Sequence, residues 1–296
     1  LIIKLGVIFI IIKTKTIQRI RLSSIEPKYI TKELLEFYAN HSEMMPHFYI
    51  PMQSACYTVL HRMGRDYNTA FLSDIIAMII KYLPNAFIAA DVIVGFPGET
   101  DDEFKKSFEF FKNNPIAFLH VFTFSARKGT TAYSMSEQVH PKIKKQRATL
   151  LSDLSTKNKI QFYNSQLNKC HKILIEVEDN KGNKYGHTEN FIKVKLTNVN
   201  AKTNEIVEVV PTIYDAESET VEAKPSISEL KTLIIGASPN TYRYSYKAVE
   251  MLRKHGFKVE AFGTRKGEIN GVAIQSNLNG LVDIHTVSLY INPNHQ

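Results

Sequence analysis

The sequence predicts an α/β protein in three parts, on three observations. Phe87–Thr100, FIAADVIVGFPGET, is an almost unbroken apolar strand that turns through Gly95, Pro97 and Gly98 straight into a helix, the pattern of a parallel strand buried on both faces. From His171 the texture changes to alternating apolar and polar residues between turn-formers, KILIEVED, KYGHTENFIKVKLT and NEIVEVVPTIYD, which predicts a small antiparallel β module. Further on, KTLIIGASPNTYRYSYKAVEMLRKHGFKVEAFG reads strand, glycine-containing loop, helix, strand, and DIHTVSLYINPNHQ adds a further strand.

At 296 residues the chain has room for two or three domains with real cores. Its net charge of +8 and pI near 9.2 suit a nucleic-acid partner, though a generally basic solvated surface accounts for them equally well. Two cysteines point to a reducing, cytoplasmic setting without a disulfide framework. The opening LIIKLGVIFIII is too short to span a bilayer and lacks the features of a secretory signal, so no membrane is expected and a buried strand is. The chain starts with Leu rather than Met, which reads as a fragment.

In order along the chain, a strand at Arg19–Ile25 is expected to end in Ser23, Ser24 and Glu26, with Pro27 closing it. Thr31–His41 reads as a short helix. FYIPMQS (Phe48–Ser54) is a second strand carrying Gln53 and Ser54 at its end. Asn68 is placed to cap a helix whose apolar face is Leu72, Ile75, Ile76, Ile79 and Leu83. Thr100 and Glu103 form a capping box for the helix carrying Phe104, Phe108 and Phe111. FLHVFTFSARKGT (Phe118–Thr130) is a strand ending at Ser125 and Arg127. His47 and His120, at strand edges without a paired ligand spacing, read as hydrogen-bonded packing residues. Pro141 opens a long helix with an apolar face of Leu150, Leu151 and Leu154. Its basic cluster of Lys142, Lys144, Lys145 and Arg147 is either a solvated face or an RNA contact. Asp215–Ser228, acidic and broken by Pro225, reads as a linker.

Four of these motifs in series, RIRLSSIEP, FYIPMQS, VGFPGE and FLHVFTFSARKGT, resemble the radical S-adenosylmethionine tRNA methylthiotransferases, most closely those acting on threonylcarbamoyladenosine. The resemblance covers roughly Gln18 to Leu196. It implies that residues 1–139 are the later strands of a partial (β/α) barrel and that 140–170 is a connecting basic helix. S-adenosylmethionine would lie against Ser23, Ser24, Glu26, Gln53, Ser54, Asp91, Gly95, Phe96, Pro97, Gly98, Glu99 and Ser125. It also implies a β module, 171–214, that binds tRNA. There Tyr185, His187, Asn190, Phe191, Lys193 and Lys195, with Arg127 on the barrel, would mix base stacking with phosphate contact; an edge strand with an ordinary polar face is the plain alternative. Ala55, Cys56, Gly64, Asp66, Ala126 and Lys128 depart from the family's usual residues.

After the linker at 215–229, residues 230–296 resemble the small coenzyme A-binding Rossmann-like domains, truncated after a third strand. Gly236, Ala237, Ser238, Tyr244, Ser245 and Lys247 match. Backbone amides at the helix start would cradle phosphate, and Tyr244 would either cover an adenine or pack on the sheet. The loop lacks the G-x-G-x-x-G pattern, so NAD is not indicated.

The family's 4Fe–4S clusters need closely spaced cysteine thiolates, and Cys56 and Cys170 fit no such spacing. Three functions therefore stand at this level. The first is a methylthiotransferase fragment, inactive as written, whose reaction adds a methylthio group at carbon 2 of the modified adenosine beside the anticodon, with a second polypeptide as one source of the missing front half. The second is a non-catalytic tRNA-binding module. The third is a coenzyme A-type nucleotide-binding protein.

Overall fold

The structure, a computed structural model, describes residues 2–197, 199, 201–226, 230–279, 281–282 and 284–291, with side chains from Ile8 onward. It is a mixed α/β chain with parallel sheets. Two compact units divide it: Leu1–Gln166 with Glu189–Ile192, and Leu167–Thr188 with Lys193–Gln296.

The first unit is built on a three-stranded parallel sheet, β1 (His47–Gln53), β2 (Phe87–Val94) and β3 (Phe118–Thr123), in sequence order. The connections are helical: α3 (Tyr57–Arg62) and α4 (Thr69–Tyr82) after β1, α5 (Asp101–Asn113) after β2, and the short α6 (Thr131–Ser134) and long α7 (Pro141–Gln166) after β3. Their starts obey local chemistry. The Asn68 Oδ1 accepts the Phe71 N–H at 2.9 Å, and the Thr100–Glu103 capping box is complete. Period-two alternation then sorts the strands. Phe48, Ile50 and Met52, Ile88, Ala90 and Val92, and Leu119 are buried with Leu72, Ile76, Phe111 and Leu151 from the helices. Of the alternate residues, Tyr49, Asp91, Ile93, His120 and Phe122 lie on the other face, half-buried or exposed.

Several expectations are corrected here. The opening apolar run is a helix, α1 (Ile2–Lys13), not a strand. The edge of β1 it would need is approached by residues 20–25, and a segment without a ladder satisfies its backbone internally as a helix. Arg19–Ile25 forms no strand of its own: it makes a bridge at Ile20–Met44, followed by a bond from the Ile25 N–H to the Tyr49 carbonyl. Pro46 has no N–H to donate, and the His47 N–H turns back to the Met45 carbonyl at 2.7 Å, so the ladder breaks between those points. A 3-10 turn at Pro27–Tyr29 follows, then α2 (Lys32–Asn40), capped by Thr31. On α7, Leu151 and Leu154 are buried, but Leu150 is 51% exposed and leaves the apolar face.

In the second unit β4 (His171–Glu178), β5 (Lys184–Thr188), β6 (Lys193–Leu196), β7 (Ile206–Asp215) and β8 (Thr220–Pro225) close into a barrel in the order β4-β5-β6-β8-β7. All pairs are antiparallel except β6 with β8. The expected linker is therefore corrected over 215–225: it supplies the closing strand. Val221 and Ala223 are buried while Glu222 and Lys224 are exposed, an alternation that the acidic composition masks. Residues 227 and 228 of that stretch lie outside the described residues.

The C-terminal sheet runs β11-β12-β10-β9-β13, formed by β9 (Lys231–Ile235), β10 (Lys258–Phe262), β11 (Glu268–Ile269), β12 (Val272–Gln275) and β13 (Ile284–Leu289), with α8 (Tyr244–Lys254) between β9 and β10. β12, β10, β9 and β13 are parallel. Two strands beyond the three expected are present among the described residues. A hairpin, β11–β12, turns through Asn270 and Gly271, both at positive φ, and β13 pairs on the opposite side of β9 from β10. The first strand thus has parallel neighbours on both sides. The INPN run lies, beyond Ile291, outside the described residues. No helix among the described residues is long and apolar enough to cross a membrane.

Candidate functional site

At the C-terminal end of β2 the chain must reverse at once into α5, and it does so through Gly95 at φ 72° and Gly98 at φ 76°. A side chain at Gly95 would also sit 2.4 Å from the Lys144 Cγ. The loop is braced from behind. The Gly95 N–H donates to the Glu99 Oε2 at 2.6 Å. Arg147 of α7 donates to the Glu99 carbonyl at 3.0 Å, to the Glu99 Oε2 at 2.7 Å and to the Asp101 Oδ1 at 2.7 Å. Arg62 of α3 donates to the Gly98 carbonyl at 3.1 Å and grips both oxygens of Glu103. Burial pushes the Glu99 carboxyl up, against the pull of Gly95 and Arg147. The Arg62 guanidinium holds Glu103 down at about 2.

This brace decides several assignments. Glu99 is turned inward, its side chain only 2% exposed, so it shapes the loop and does not face a ligand. Ser54 is buried on the helix side, its hydroxyl paired with Ser107 at 3.0 Å, which corrects its placement beside a cofactor. Phe96 packs with Cys56 and Val59 and meets Phe124 edge-on at 5.1 Å; Pro97 is buried beside it. Arg147 and Lys144 belong to neither a solvated face nor an RNA contact, because Arg147 is 5% exposed and Lys144 donates to the Phe124 carbonyl at 3.0 Å. Sequence reasoning missed Arg147 and Arg62 as loop residues, since no local signal ties them to a loop some 40 positions away.

The other face of the sheet is the more exposed one. Tyr49 of β1, Asp91 of β2 and His120 of β3 stand in a row across it. The Tyr49 hydroxyl donates to the Asp91 Oδ1 at 2.6 Å and lies 2.6 Å from the His120 Nδ1. Burial, then the bond to Asp91, raises the Tyr49 phenol well above its ordinary range. Gln53, at φ 65°, ends β1 half-buried, and Ser23, Ser24, Ser125 and Arg127 are exposed. Glu26 is held by Arg65 at 2.6 Å. That pair lines an open cavity of about 710 Å³ with Tyr29, Tyr67 and Phe71.

The expected RNA residues separate. On the barrel, Lys193 is exposed, and Lys195 lies 4.0 Å from Glu222. Tyr185 donates to Asp179 at 3.1 Å, and His187 pairs with Glu176 at 2.8 Å. Asn190 and Phe191 are corrected, because Glu189–Ile192 belongs to the first unit. Asn190 is fully buried, donating to the Asn85 carbonyl and to Gln166. Phe191, at φ 69°, packs on His47 at 4.5 Å with the Arg21 guanidinium 4.2 Å from its ring.

In the C-terminal unit the Gly236 and Ala237 amides both donate to the Phe262 carbonyl at 2.9 Å. They are not available to cradle phosphate, which corrects that expectation. Gly236, at φ 84°, lies so close to β13 that an added Cβ would be 2.6 Å from the Tyr290 carbonyl oxygen. Ser238 accepts the Asn240 N–H. What faces outward is the first turn of α8, where Arg243 provides no side-chain cap. Ser245 there is buried, Lys247 lies 5.9 Å from the Tyr244 ring, and Tyr244 is 79% exposed and does not pack on the sheet.

A cluster of three or more His, Cys, Asp or Glu able to hold a metal is absent among the described residues. Cys56 is buried and Cys170 exposed. This donor set does not fit an iron–sulfur cluster.

Residues 3–111 match the radical SAM superfamily model, and residues 231–296 match a CoA binding domain model. Over 201 residues the chain is 36% identical to the threonylcarbamoyladenosine tRNA methylthiotransferase MtaB of Bacillus subtilis (strain 168), covering 67% of this chain and 45% of that protein. It is 32% identical to the ribosomal protein uS12 methylthiotransferase RimO of Alkaliphilus oremlandii (strain OhILAs), covering 58% and 40%. Among solved structures it is similar to coproporphyrinogen III oxidase (HemN) of Escherichia coli, a radical SAM enzyme, at 14% identity and a TM-score of 0.36 over 50% of this chain and 32% of that one. The chain spans less than half the length of these methylthiotransferase relatives.

Proposed function

We propose that this chain serves methylthio transfer to carbon 2 of a threonylcarbamoyladenosine in tRNA, and that its own share is to hold nucleoside and RNA. The observation that carries this reading is the 36% identity to MtaB across 201 residues, a span longer than the radical SAM match itself. The later strands of a partial (β/α) barrel would be β1 to β3. S-adenosylmethionine, which supplies the radical chemistry when bound to a cluster, would lie at their C-terminal ends. There Ser23, Ser24, Gln53 and Ser125 offer polar groups and the braced Gly95–Gly98 turn brings backbone close. The thiolates present, Cys56 and Cys170, do not fit a cluster.

The β4–β8 barrel would hold tRNA through Lys193 and Lys195, with Tyr185 and His187 beside them. Charge neutralisation releases condensed counterions, so affinity should fall steeply with salt. The test is titration of the full chain with a tRNA anticodon stem-loop at low and physiological salt. Tight, salt-sensitive binding that is largely lost in Lys193→Glu/Lys195→Glu supports the reading. Undiminished affinity in that double variant would move the RNA surface elsewhere, and no binding at low salt would overturn the reading.

A second reading concerns the C-terminal unit alone and rests on β13. A parallel sheet with strands on both sides of β9 creates the crevice in which such folds hold ligands. The uncapped first turn of α8 would receive a phosphate-bearing nucleotide of the coenzyme A type.

A further inference from the structure

We propose that β13 is a dimerisation edge: two copies of this chain pair it antiparallel across a two-fold axis through Ser288, joining their C-terminal sheets into one. Elsewhere the fold deals with its sheet edges. The strands of the barrel close on themselves. On β3 the Leu119 N–H and carbonyl both bond the Ser155 hydroxyl of α7, at 2.8 and 3.0 Å, and just beyond it Lys144 takes the Phe124 carbonyl. β11, at one edge of the C-terminal sheet, is two residues long and turns directly into β12. β13, at the other edge, runs for six residues, and no described strand pairs with its outer side. It carries no Lys, Arg, Asp, Glu or Pro, the residues that keep an edge from pairing.

The strand's own alternation selects a second copy as the occupant. The Tyr290 N–H donates inward to the Ile235 carbonyl at 2.8 Å. Ser288, two residues back, therefore also turns its backbone groups toward β9, and those of Val287 and Leu289 point outward. Val287 and Leu289 register with Leu233 and Ile235, on the sheet face away from α8, and each is 53% exposed. Thr286 and Ser288 register with Thr232 and Ile234 on the α8 face, where Ile234 packs with Val249. Antiparallel pairing about Ser288 sets Val287 of each copy opposite Leu289 of the other, so both outward residues find backbone partners. Apolar side chains meet on one face and Ser288 meets Ser288 on the other, with no like charges opposed. Hydrogen bonding, side-chain character and two-fold symmetry agree in this one register, the condition for an isologous contact. A single strand pair is at the small end of specific interfaces, so the dimer should dissociate in the micromolar range.

Sedimentation velocity of the full chain over the micromolar range should show a monomer–dimer equilibrium. Residues opposite at a non-hydrogen-bonded site of an antiparallel pair have Cα atoms about 4.5 Å apart, within disulfide reach. Ser288→Cys in a Cys170→Ser background, which removes the exposed native thiol, should therefore cross-link to a dimer under mild oxidation. Val287→Cys in the same background should not, since its counterpart lies two residues along the strand, beyond about 7 Å. Ser288→Asp and Ser288→Lys should each weaken association at least about tenfold by opposing like charges. Mixing the two should restore it, which a misfolded variant cannot do. A chain that stays monomeric throughout, no cross-link through Ser288→Cys, equal cross-linking through Val287→Cys, or a dimer indifferent to Ser288→Asp would overturn the proposal.

Discussion

Replacing Arg147 by Met tests whether α7 holds the β2–α5 loop in place. The guanidinium is buried and makes three bonds to that loop, but they are not of equal weight. Asp101 is 93% exposed on its side chain, so its ion pair is screened and contributes little. Glu99 is 2% exposed, and losing Arg147 leaves its carboxylate buried with only the Gly95 amide. Breaking a buried pair on one side costs about 3–5 kcal/mol, and for a unit of this size about 2–4 °C is lost per kcal/mol. The melting temperature of Arg147→Met should therefore fall by roughly 6–20 °C, measured by calorimetry or circular dichroism. The deficit also has a pH signature. Burial already raises the Glu99 carboxyl, and without Arg147 it rises further. A folded-state value above the unfolded one gives stability that is present at acid pH and lost as pH climbs through the folded value. The variant should thus be closest to wild type near pH 4.5 and furthest from it at neutral pH. Adding Glu99→Gln should recover much of the loss, since no charge is then buried. An unchanged melting temperature, or a double variant no better than the single at pH 7, would refute this account.

Other perturbations read the same region. Glu103, held at about 2 by Arg62 against an ordinary 4.5, contributes stability that is complete above pH 4.5 and lost as pH falls toward 2. Glu103→Gln should flatten the acid limb of the stability curve in that window. Gly95→Ala should cost at least about 1–2 kcal/mol for its left-handed backbone, plus displacement of Lys144, seen as a lower denaturant midpoint. Asn190→Ala should destabilise the first unit by about 1–3 kcal/mol by leaving the Asn85 carbonyl and the Gln166 amide oxygen without their donor. A tRNA-binding loss at unchanged stability would instead return Asn190 to the RNA surface.

The sequence by itself determined what depends on neighbours a few residues apart. The Thr100–Glu103 capping box, the Asn68 cap, the apolar face of α4 and the alternation in β4 to β7 are set by helical or strand periods, so each was legible from spacing. The Asn270–Gly271 hairpin and the TVEAK alternation of β8 were equally local, and only composition, an acidic run with a proline, hid the latter. The four strand-end motifs also carried the kinship, because a loop such as VGFPGE needs its glycines whatever surrounds it. Tertiary structure decided everything that requires two distant segments to meet. LIIKLGVIFIII is as apolar as a buried strand, but a strand exists only where another offers a free edge, and here the run closes its own bonds as a helix. Arg147 sits in a lysine-rich stretch that reads as solvated, and only the packing of α7 against β2 turns it onto Glu99. Asn190 and Phe191 lie in a barrel sequence yet pack on the first unit. Gly236 and Ala237 sit in a phosphate-type loop whose amides are taken by β10. Charge and hydrogen-bonding capacity are written in a residue's identity, but its partner is chosen by the fold, since a polar group goes wherever burial leaves it a bond.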